Sequence, residues 1–276
     1  EEIAAKYGTP VYVYNEKILR DRMAKVAKVI TKYPYTANYS VKANTNIHIL
    51  KLALEEGLNC DAMSVGEITL LMKAGFPVER IFFVPNNVAP YELAFALKNK
   101  VMTSLDSLSQ LELFGEVCNQ MNIPAGERKC AVRINPGVGA GHHEKVVTGG
   151  KKTKFGIAEY DIPHIFEIAS KYGVRIAGIN QHIGSLFMDP QPYLDAVTNL
   201  LRIAEGFKDL DFIDFGGGYG IPYHKLDDEK DFPMEDFKAR LEPILDEFVK
   251  SYGKAPLFKS EPGRFCVAEG SAILGR

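Results

Sequence analysis

Residues 39–46 read Tyr-Ser-Val-Lys-Ala-Asn-Thr-Asn and place one lysine, Lys42, between two local patterns. Residues 35–41 alternate large or β-branched side chains with small ones, as strands do, and helical spacing of apolar residues follows. Asn44 or Thr45 is predicted to cap that helix. Lys42 therefore lies where a strand ends. A lysine there is either a solvated surface group or a half-buried amine of lowered pKa that attacks a carbonyl compound.

Eight strand-like runs follow one another along the chain, and all but one precede a stretch long enough for a helix. The runs are 35–41, 58–62, 81–84, 101–105, 130–135, 176–183, 212–215 and 257–260. This alternation predicts a parallel sheet with right-handed crossovers. Eight strands favour closure into a (β/α)8 TIM-like barrel over an open doubly wound sheet.

The stretches between these runs carry helical patterns of apolar residues. The clearest are 65–73, 91–97, 108–121, 162–171, 193–207 and 237–249. An earlier helical pattern, capped by Asn15, extends to Ile30 before Pro34 ends it. Pro243 is predicted to divide the last helix into two pieces or to kink it.

The composition narrows the class of protein. The 276 residues suffice for one large barrel or two modest domains. A formal charge of -2 points to small metabolites as partners, with no nucleic acid and no membrane. Four cysteines without C-x-x-C spacing favour reduced thiols and a cytoplasmic location. No apolar run approaches the roughly 20 residues of a membrane span.

Polar residues recur at the carboxyl ends of the predicted strands, where barrel enzymes carry their chemistry. They are Lys42, Asp61, Asn86, Asp106, Asn135, His182, Gly216 to Gly218, and Glu261 with Arg264. This coincidence predicts one functional site at that end of the barrel.

Two motifs at the last two strands each have a structural and a functional interpretation. Residues 215–220, Phe-Gly-Gly-Gly-Tyr-Gly, form either a tight turn or a cradle of N–H groups for a phosphate, and the place in a barrel favours the cradle. They match neither a Walker loop nor a dinucleotide fingerprint. Glu261 and Arg264 either form a surface ion pair without a functional role or each bind part of a ligand. In the second case Arg264 binds an anion and Glu261 keeps a ring nitrogen protonated.

Other polar residues are weighed in the same way. His182 is either a satisfied core side chain or a flat ring that stacks on an aromatic cofactor, with Ser185 donating to a phosphate. Ser64 and Glu67 look like a helix capping box, so Glu67 is predicted to be structural.

The connection from residue 133 to residue 156 is long and rich in Gly, His and Lys, and such loops are often functional. His142, His143 and Glu144 would suit a metal ion, but no second group with ligand spacing accompanies them. We therefore predict a solvated loop and no metal site.

Four segments in combination resemble the barrel domain of the alanine-racemase-fold, pyridoxal-phosphate-dependent decarboxylases. They are 39–44 (Tyr-Ser-Val-Lys-Ala-Asn), 182–185 (His-Ile-Gly-Ser), 216–223 (Gly-Gly-Gly-Tyr-Gly-Ile-Pro-Tyr) and 261–264 (Glu-Pro-Gly-Arg). Two more segments, 143–156 and 189–192, are similar to the members that cleave diaminopimelate rather than ornithine or arginine. The resemblance spans essentially the whole chain.

The resemblance implies pyridoxal 5'-phosphate as cofactor and decarboxylation of meso-diaminopimelate to L-lysine. Lys42 would bind the cofactor as an imine, and His182 would stack on its ring; these two would be the catalytic residues. The other cofactor-binding residues would be Asp61, Ser185, Gly217, Gly218, Glu261 and Arg264.

The resemblance also sets the domain expectations. Residues 1–265 would form the barrel, and 266–276 would begin a truncated β-rich second domain that completes the site across a homodimer. We therefore expect this stretch alone to bind the cofactor without decarboxylating. The alternatives are a decarboxylase of ornithine or arginine, a single-barrel pyridoxal-phosphate homeostasis protein, and a cofactor-free barrel such as an aldolase or metal hydrolase.

Overall fold

A closed barrel of parallel strands forms the centre of the protein. The computed structural model describes residues 1–135, 137, 154–223 and 229–275. The strands in these ranges are β1 (Val11–Tyr14), β2 (Tyr35–Ser40), β3 (Asn59–Ala62), β4 (Ile81–Phe83), β5 (Met102–Leu105), β6 (Lys129–Arg133), β7 (Arg175–Asn180), β8 (Phe212–Asp214), β9 (Leu257–Ser260) and β10 (Ser271–Leu274). Strands β2 to β9 pair in parallel in chain order, and β9 pairs with β2. The predicted eight-stranded barrel and all eight predicted runs are confirmed.

Helices alternate with the barrel strands, as predicted. They are α1 (Glu2–Tyr7), α2 (Glu16–Val26), α3 (Ile47–Glu55), α4 (Val65–Ala74), α5 (Pro90–Lys98), α6 (Leu108–Gln120), α7 (Ile162–Tyr172), α8 (Gln191–Ala204), α9 (Met234–Tyr252) and α10 (Arg264–Val267). None of the helices in the described ranges combines the length and apolar character that crossing a membrane requires.

The start of α4 shows how local sequence sets these boundaries. The Ser64 hydroxyl accepts a hydrogen bond from the Glu67 N–H at 3.2 Å, and the Glu67 carboxylate accepts one from the Met63 N–H at 2.6 Å. The helix ends at Gly75, whose φ of 99° suits a residue without a side chain. The structural interpretation of Glu67 is consistent with these contacts.

Three local predictions were wrong. The cap of α3 is Asn46, whose side chain accepts from the His48 N–H, and not Asn44 or Thr45. Helix α2 ends at Val26, well before Pro34, because its last turn loosens into i to i+3 bonds. Helix α9 continues through Pro243 as one helix, so the predicted division into two pieces was wrong, while the predicted kink stays a prediction. Buried apolar side chains on both sides of the proline hold the helix against the barrel.

The interior of the barrel changes character from one end to the other. Towards the amino ends of the strands, Phe82, Ala131 and Phe212 form an apolar cluster. Gly178 leaves room for it, because a Cβ there would lie 2.4 Å from the Phe212 ring. The Lys259 ammonium lies 3.8 Å from the centre of that ring. Polar side chains occupy the interior from this level upward and lead to the carboxyl ends of the strands.

Strands β1 and β10 form a separate antiparallel pair outside the barrel. The pair is only four residues long, and its outer face exposes Tyr12 (68%) and Ile273 (62%). An isolated two-stranded ribbon is marginally stable in water, so this pair depends on its neighbours for stability.

Candidate active site

Lys42 extends from a single 3-10 turn, Val41–Ala43, that directly follows β2. Its side chain is exposed and borders a cavity of about 420 Å³. The same cavity is lined by the predicted residues His182, Ser185, Gly218, Glu261 and Arg264. The carboxyl ends of four different strands thus bring six of the predicted residues together, as parallel strands in a barrel should.

Asp61 lies at the end of β3, buried beside a smaller cavity that Lys42, Arg133, His182 and Glu261 also line. The Ser40 hydroxyl donates a hydrogen bond to its carboxylate. Burial raises the pKa of Asp61 to about 7, against the opposing effects of Lys42 and Ser40. The group therefore titrates near neutrality, next to the lysine.

Glu261 follows β9 and is buried in the same place. Burial and the negative charges of Asp214 and Asp61 raise the pKa of Glu261 well above its usual range, despite the opposing effect of Lys42. Among the described residues, its Oε1 has no hydrogen-bond partner. A buried carboxyl that retains a proton and has a free oxygen is suited to pair with a ring nitrogen.

The glycine run after β8 packs against the backbone of Glu261. A Cβ on Gly217 would lie 1.9 Å from the Glu261 carbonyl oxygen, so a side chain has no room there. Gly218 has a φ of 118°, and a Cβ on it would lie 2.5 Å from the Gly184 carbonyl oxygen. The motif is therefore both a tight turn and part of the cavity wall, which Gly218 reaches.

His182 lies just past β7. Burial lowers the pKa of His182 well below its usual value, and the positive charges of Lys42 and Arg133 add to the effect. Its Nδ1 accepts a hydrogen bond from the Gly217 N–H at 3.4 Å, which places the ring proton on Nε2. The side chain is thus an uncharged, flat ring at the cavity wall.

Arg264 begins α10 and is exposed at the rim of the cavity. Its Nη1 donates to the Tyr223 hydroxyl at 2.5 Å, and Tyr223 lines the same cavity. Glu261, by contrast, is buried, so the two charges do not form a surface ion pair. The guanidinium retains donors for an anion, in agreement with the functional interpretation.

These features fit pyridoxal phosphate. An amine on Lys42 suits the aldehyde, the free oxygen of Glu261 suits the ring nitrogen, and the wall around Gly218 with Arg264 suits a phosphate.

Some predicted residues lie elsewhere. Asn86 and Asp106 line neither of these two cavities, and Asn86 instead accepts from Arg133 at 3.3 Å. Gly217 is not among the residues that line the larger cavity, and it packs against the backbone of Glu261 instead. The predicted loop residues His142, His143 and Glu144 fall outside the described residues, as does most of segment 143–156. In the ranges that are described, no His, Cys, Asp and Glu side chains form a group able to hold a metal ion.

Sequence reasoning missed three buried polar residues that support the site: Ser40, Arg133 and Asp214. Signals for two of them were available. Ser40 precedes Lys42 by two residues on a strand, where the side-chain period is two. Asp214 stands two residues before Gly216 at a strand end, the spacing at which an aspartate accepts from a backbone N–H.

The chain resembles known proteins over almost its full length. The diaminopimelate decarboxylase of Methanothermobacter thermautotrophicus is 38% identical over 283 residues, which cover 100% of this chain and 64% of that protein. The enzyme of the same name from Aquifex aeolicus is 33% identical, with 99% and 64% coverage. The chain thus spans about 64% of the length of these curated relatives.

Solved structures agree with the sequence comparison. The crystal structure of diaminopimelate decarboxylase from Helicobacter pylori complexed with L-lysine has a TM-score of 0.89 and 28% identity, and covers 99% of this chain and 68% of that one. A family model described as "Pyridoxal-dependent decarboxylase, pyridoxal binding domain" matches residues 16–268. The predicted family is confirmed: the chain belongs to the pyridoxal-dependent decarboxylases, within their pyridoxal-binding domain.

Proposed function

We propose that this protein decarboxylates meso-diaminopimelate to L-lysine and carbon dioxide, with pyridoxal phosphate attached to Lys42. One observation carries the proposal: Glu261, whose buried Oε1 has no partner among the described residues, lines both cavities that Lys42 borders. The choice of substrate rests on the relatives, which bear the name diaminopimelate decarboxylase at 38% and 33% identity.

The residues that would hold the cofactor divide by its chemical groups. Lys42 would bind the aldehyde carbon, Glu261 the ring nitrogen and His182 the ring face. The phosphate would lie against Ser185, Gly218 and Arg264. Gly217 would keep the glycine run 216–218, called the glycine wall below, close to Glu261. When bound, the cofactor supplies a protonated ring that accepts the electron pair released as the carboxylate leaves.

The side chains then have distinct tasks. The raised pKa of Glu261 keeps a proton between its carboxyl and the ring nitrogen. The lowered pKa of His182 keeps its imidazole uncharged, so it packs on the ring without repelling the positive charge held there. Asp61, with a pKa of about 7, lies beside the same cavity as Lys42, would help to orient that lysine or the ring, and can exchange a proton near neutral pH.

We further propose that residues 266–276 begin a second, β-rich domain, with residues 1–265 as the barrel. The position of β10 outside the barrel supports a separate domain after it, and β10 pairs there with β1 from the start of the chain. We also propose a homodimer that shares its active sites, on the strength of the family resemblance. Four buried, free cysteines support a location in the cytoplasm.

The first experiment tests the cofactor. The protein is incubated with pyridoxal phosphate, reduced with borohydride, and the modified peptide is located by mass spectrometry. We expect one adduct, on Lys42, and none in Lys42→Ala. Lys51→Ala removes an exposed lysine of α3 and serves as the matched control, with the adduct unchanged. Absent labelling of Lys42 in folded protein refutes the proposal.

The second experiment tests the substrate. Release of carbon dioxide is measured with the protein expressed from its complete coding sequence, separately on meso-diaminopimelate, ornithine, arginine and lysine. We expect activity on meso-diaminopimelate alone. Activity on ornithine or arginine without activity on meso-diaminopimelate would refute the proposed substrate and leave the proposed cofactor unaffected. Turnover by residues 1–276 alone would contradict the expectation that a second domain completes the site.

A further inference from the structure

The first glycine of the turn after β8 is held by three hydrogen bonds. The Gly216 N–H donates to Asp214 Oδ1 at 2.9 Å. Its carbonyl oxygen accepts from the Tyr193 hydroxyl at 2.9 Å and from the Glu261 N–H at 2.9 Å. With φ at 75°, this residue adopts the left-handed region that glycine favours. Hydrogen bonds therefore hold both of the peptide groups that flank Gly216, and they fix the orientation of the glycine wall.

Asp214 connects this peptide to a distant strand. Its second oxygen, Oδ2, accepts from Asn38 Nδ2 at 3.2 Å, and both side chains are completely buried. Asn38 lies on β2, four residues before Lys42, whereas Asp214 ends β8. Strand β9 separates the two, so the contact crosses the barrel interior. The Asp214 carboxylate thus links the glycine wall to β2, the strand that directly precedes the turn with Lys42.

The charge of Asp214 strengthens both contacts. Burial raises the pKa of Asp214 to about 6, while the Gly216 N–H and the positive charge of Lys259 hold it down. The carboxyl is therefore ionised at neutral pH, and hydrogen bonds to an ionised acceptor are about twice as strong as neutral ones. Lys259, on the intervening β9, provides the compensating charge inside the barrel.

We propose that Asp214 is a positioning residue that sets the distance between the glycine wall and Lys42, and thereby the affinity for pyridoxal phosphate. This inference rests on the proposed function. It goes beyond it because Asp214 lines neither cavity and acts only through Gly216 and Asn38. A carboxylate in such a place is otherwise a costly burial with no compensating role.

Variants at two positions separate positioning from folding. Asp214→Asn keeps an oxygen for the Gly216 N–H. Its amide nitrogen replaces the oxygen that accepts from Asn38 Nδ2, so it can donate to Asn38 only after the Asn38 amide turns over to present its Oδ1, which has no partner among the described residues. Asp214→Leu keeps the volume but removes both acceptors. The double variant Asn38→Leu with Asp214→Leu removes both partners of the buried hydrogen bond, so no amide is left without an acceptor, while Lys259 loses its counter-charge as it does in Asp214→Leu. Asp211→Asn, an exposed carboxylate near the same strand, is the matched control.

The measurements are the dissociation constant for pyridoxal phosphate and the melting temperature of each variant, in the protein expressed from its complete coding sequence. We expect Asp214→Asn and Asp211→Asn to bind within about threefold of wild type. We expect Asp214→Leu and the double variant to bind at least roughly tenfold more weakly, as loss of a charged hydrogen bond predicts. The double variant should melt no lower than Asp214→Leu, because both leave Lys259 without its counter-charge but only the single variant leaves the Asn38 amide unpaired as well.

Three results would overturn the inference. The first is wild-type affinity in the double variant. The second is an Asp214→Asn variant as weak as Asp214→Leu, because the hydrogen-bond geometry would then be irrelevant. The third is a double variant that does not fold, which would make Asp214 a structural residue. Failure of the proposed function is distinguishable, since the wild type itself would then form no adduct on Lys42.

Discussion

Replacing Gly217 with alanine tests the contact between the glycine wall and Glu261. The new Cβ would lie 1.9 Å from the Glu261 carbonyl oxygen and 2.7 Å from its carbonyl carbon. An ordinary contact begins near 3.4 Å, so the two backbones must separate by about 1.5 Å. The φ of Gly217 is not in the left-handed region, so the effect is steric and not conformational.

The separation cannot stay local. The same Glu261 carbonyl lies 3.2 Å from the Ser40 hydroxyl, whose one proton it shares with the Asp61 carboxylate, and the Glu261 N–H donates to the Gly216 carbonyl. Overpacking against well-packed groups costs about 1–3 kcal/mol, and a backbone obstacle places this case at the upper end. Binding of the cofactor would force the displaced glycine wall back against Glu261, at a cost of about 3 kcal/mol. This cost corresponds to roughly a hundredfold loss of affinity for pyridoxal phosphate.

The assay is titration of Gly217→Ala with pyridoxal phosphate, followed by borohydride reduction to measure labelling of Lys42. Gly126→Ala is the control, because a Cβ at this glycine in a surface turn meets nothing within 4 Å. We expect the control to bind like wild type. Wild-type affinity in a folded Gly217→Ala would refute the reasoning, because it would show that the wall and Glu261 need not touch for the cofactor to bind.

Three further predictions concern the barrel. Ser40→Ala removes the hydroxyl that holds the pKa of Asp61 down, so the pKa of Asp61 should rise above about 7, which carbon NMR of the carboxyl would show. The same change should lower the free energy of unfolding by about 1–3 kcal/mol, because a buried carboxyl loses its hydrogen-bond donor. For Asp61 itself, the carboxyl loses its proton at lower pH in the unfolded chain than in the folded one, so its contribution to stability falls as pH rises from about 4 to about 7. Asp61→Asn removes this contribution, so urea unfolding at several pH values should show a slope different from wild type, and an unchanged slope would contradict the prediction. Gly115→Ala places a Cβ 2.2 Å from the Tyr172 ring, so it should lower stability by about 1–3 kcal/mol while affinity for pyridoxal phosphate stays unchanged.

Much of this architecture could be predicted because the signals are local. Strands of a parallel barrel are buried on both faces and read as short apolar runs, and the helices between them show their own period. The residues after each strand meet at one end of the barrel regardless of their distance in the chain. Lys42, His182 and Glu261, more than 200 residues apart at the extremes, could therefore be assigned to one site from order alone.

The failures arose where packing outweighs local preference. Pro243 removes a hydrogen bond from α9, but the helix presents Phe237, Leu241 and Leu245 to the core, and burying them outweighs the loss. The boundary of α2 and the cap of α3 differ from the prediction by a few residues, as helix ends usually do, because several nearby side chains can serve as caps.

The polar residues inside the barrel could not be predicted as partners, because their pairing depends on register between strands that are not adjacent. Asp214 reaches Asn38 across β9, a contact that no spacing in the sequence encodes. These buried groups also determine how the carboxyl end of the barrel titrates. Asp61, Asp214 and Glu261 share an interior with Arg133 and Lys259. Burial raises the pKa of each carboxyl, and neighbouring negative charges add to the effect at Asp61 and Glu261.

Of these three carboxyls, Asp61 accepts a hydrogen bond from the Ser40 hydroxyl, and Asp214 accepts hydrogen bonds from the Gly216 N–H and the Asn38 amide. Glu261 alone among them keeps a buried oxygen without a partner in the described part of the chain. A buried polar group in that state costs about 1–3 kcal/mol, which a hydrogen bond to a ring nitrogen would recover on binding. The buried carboxyl that costs stability when unpartnered is therefore suited to share its proton with a ring nitrogen.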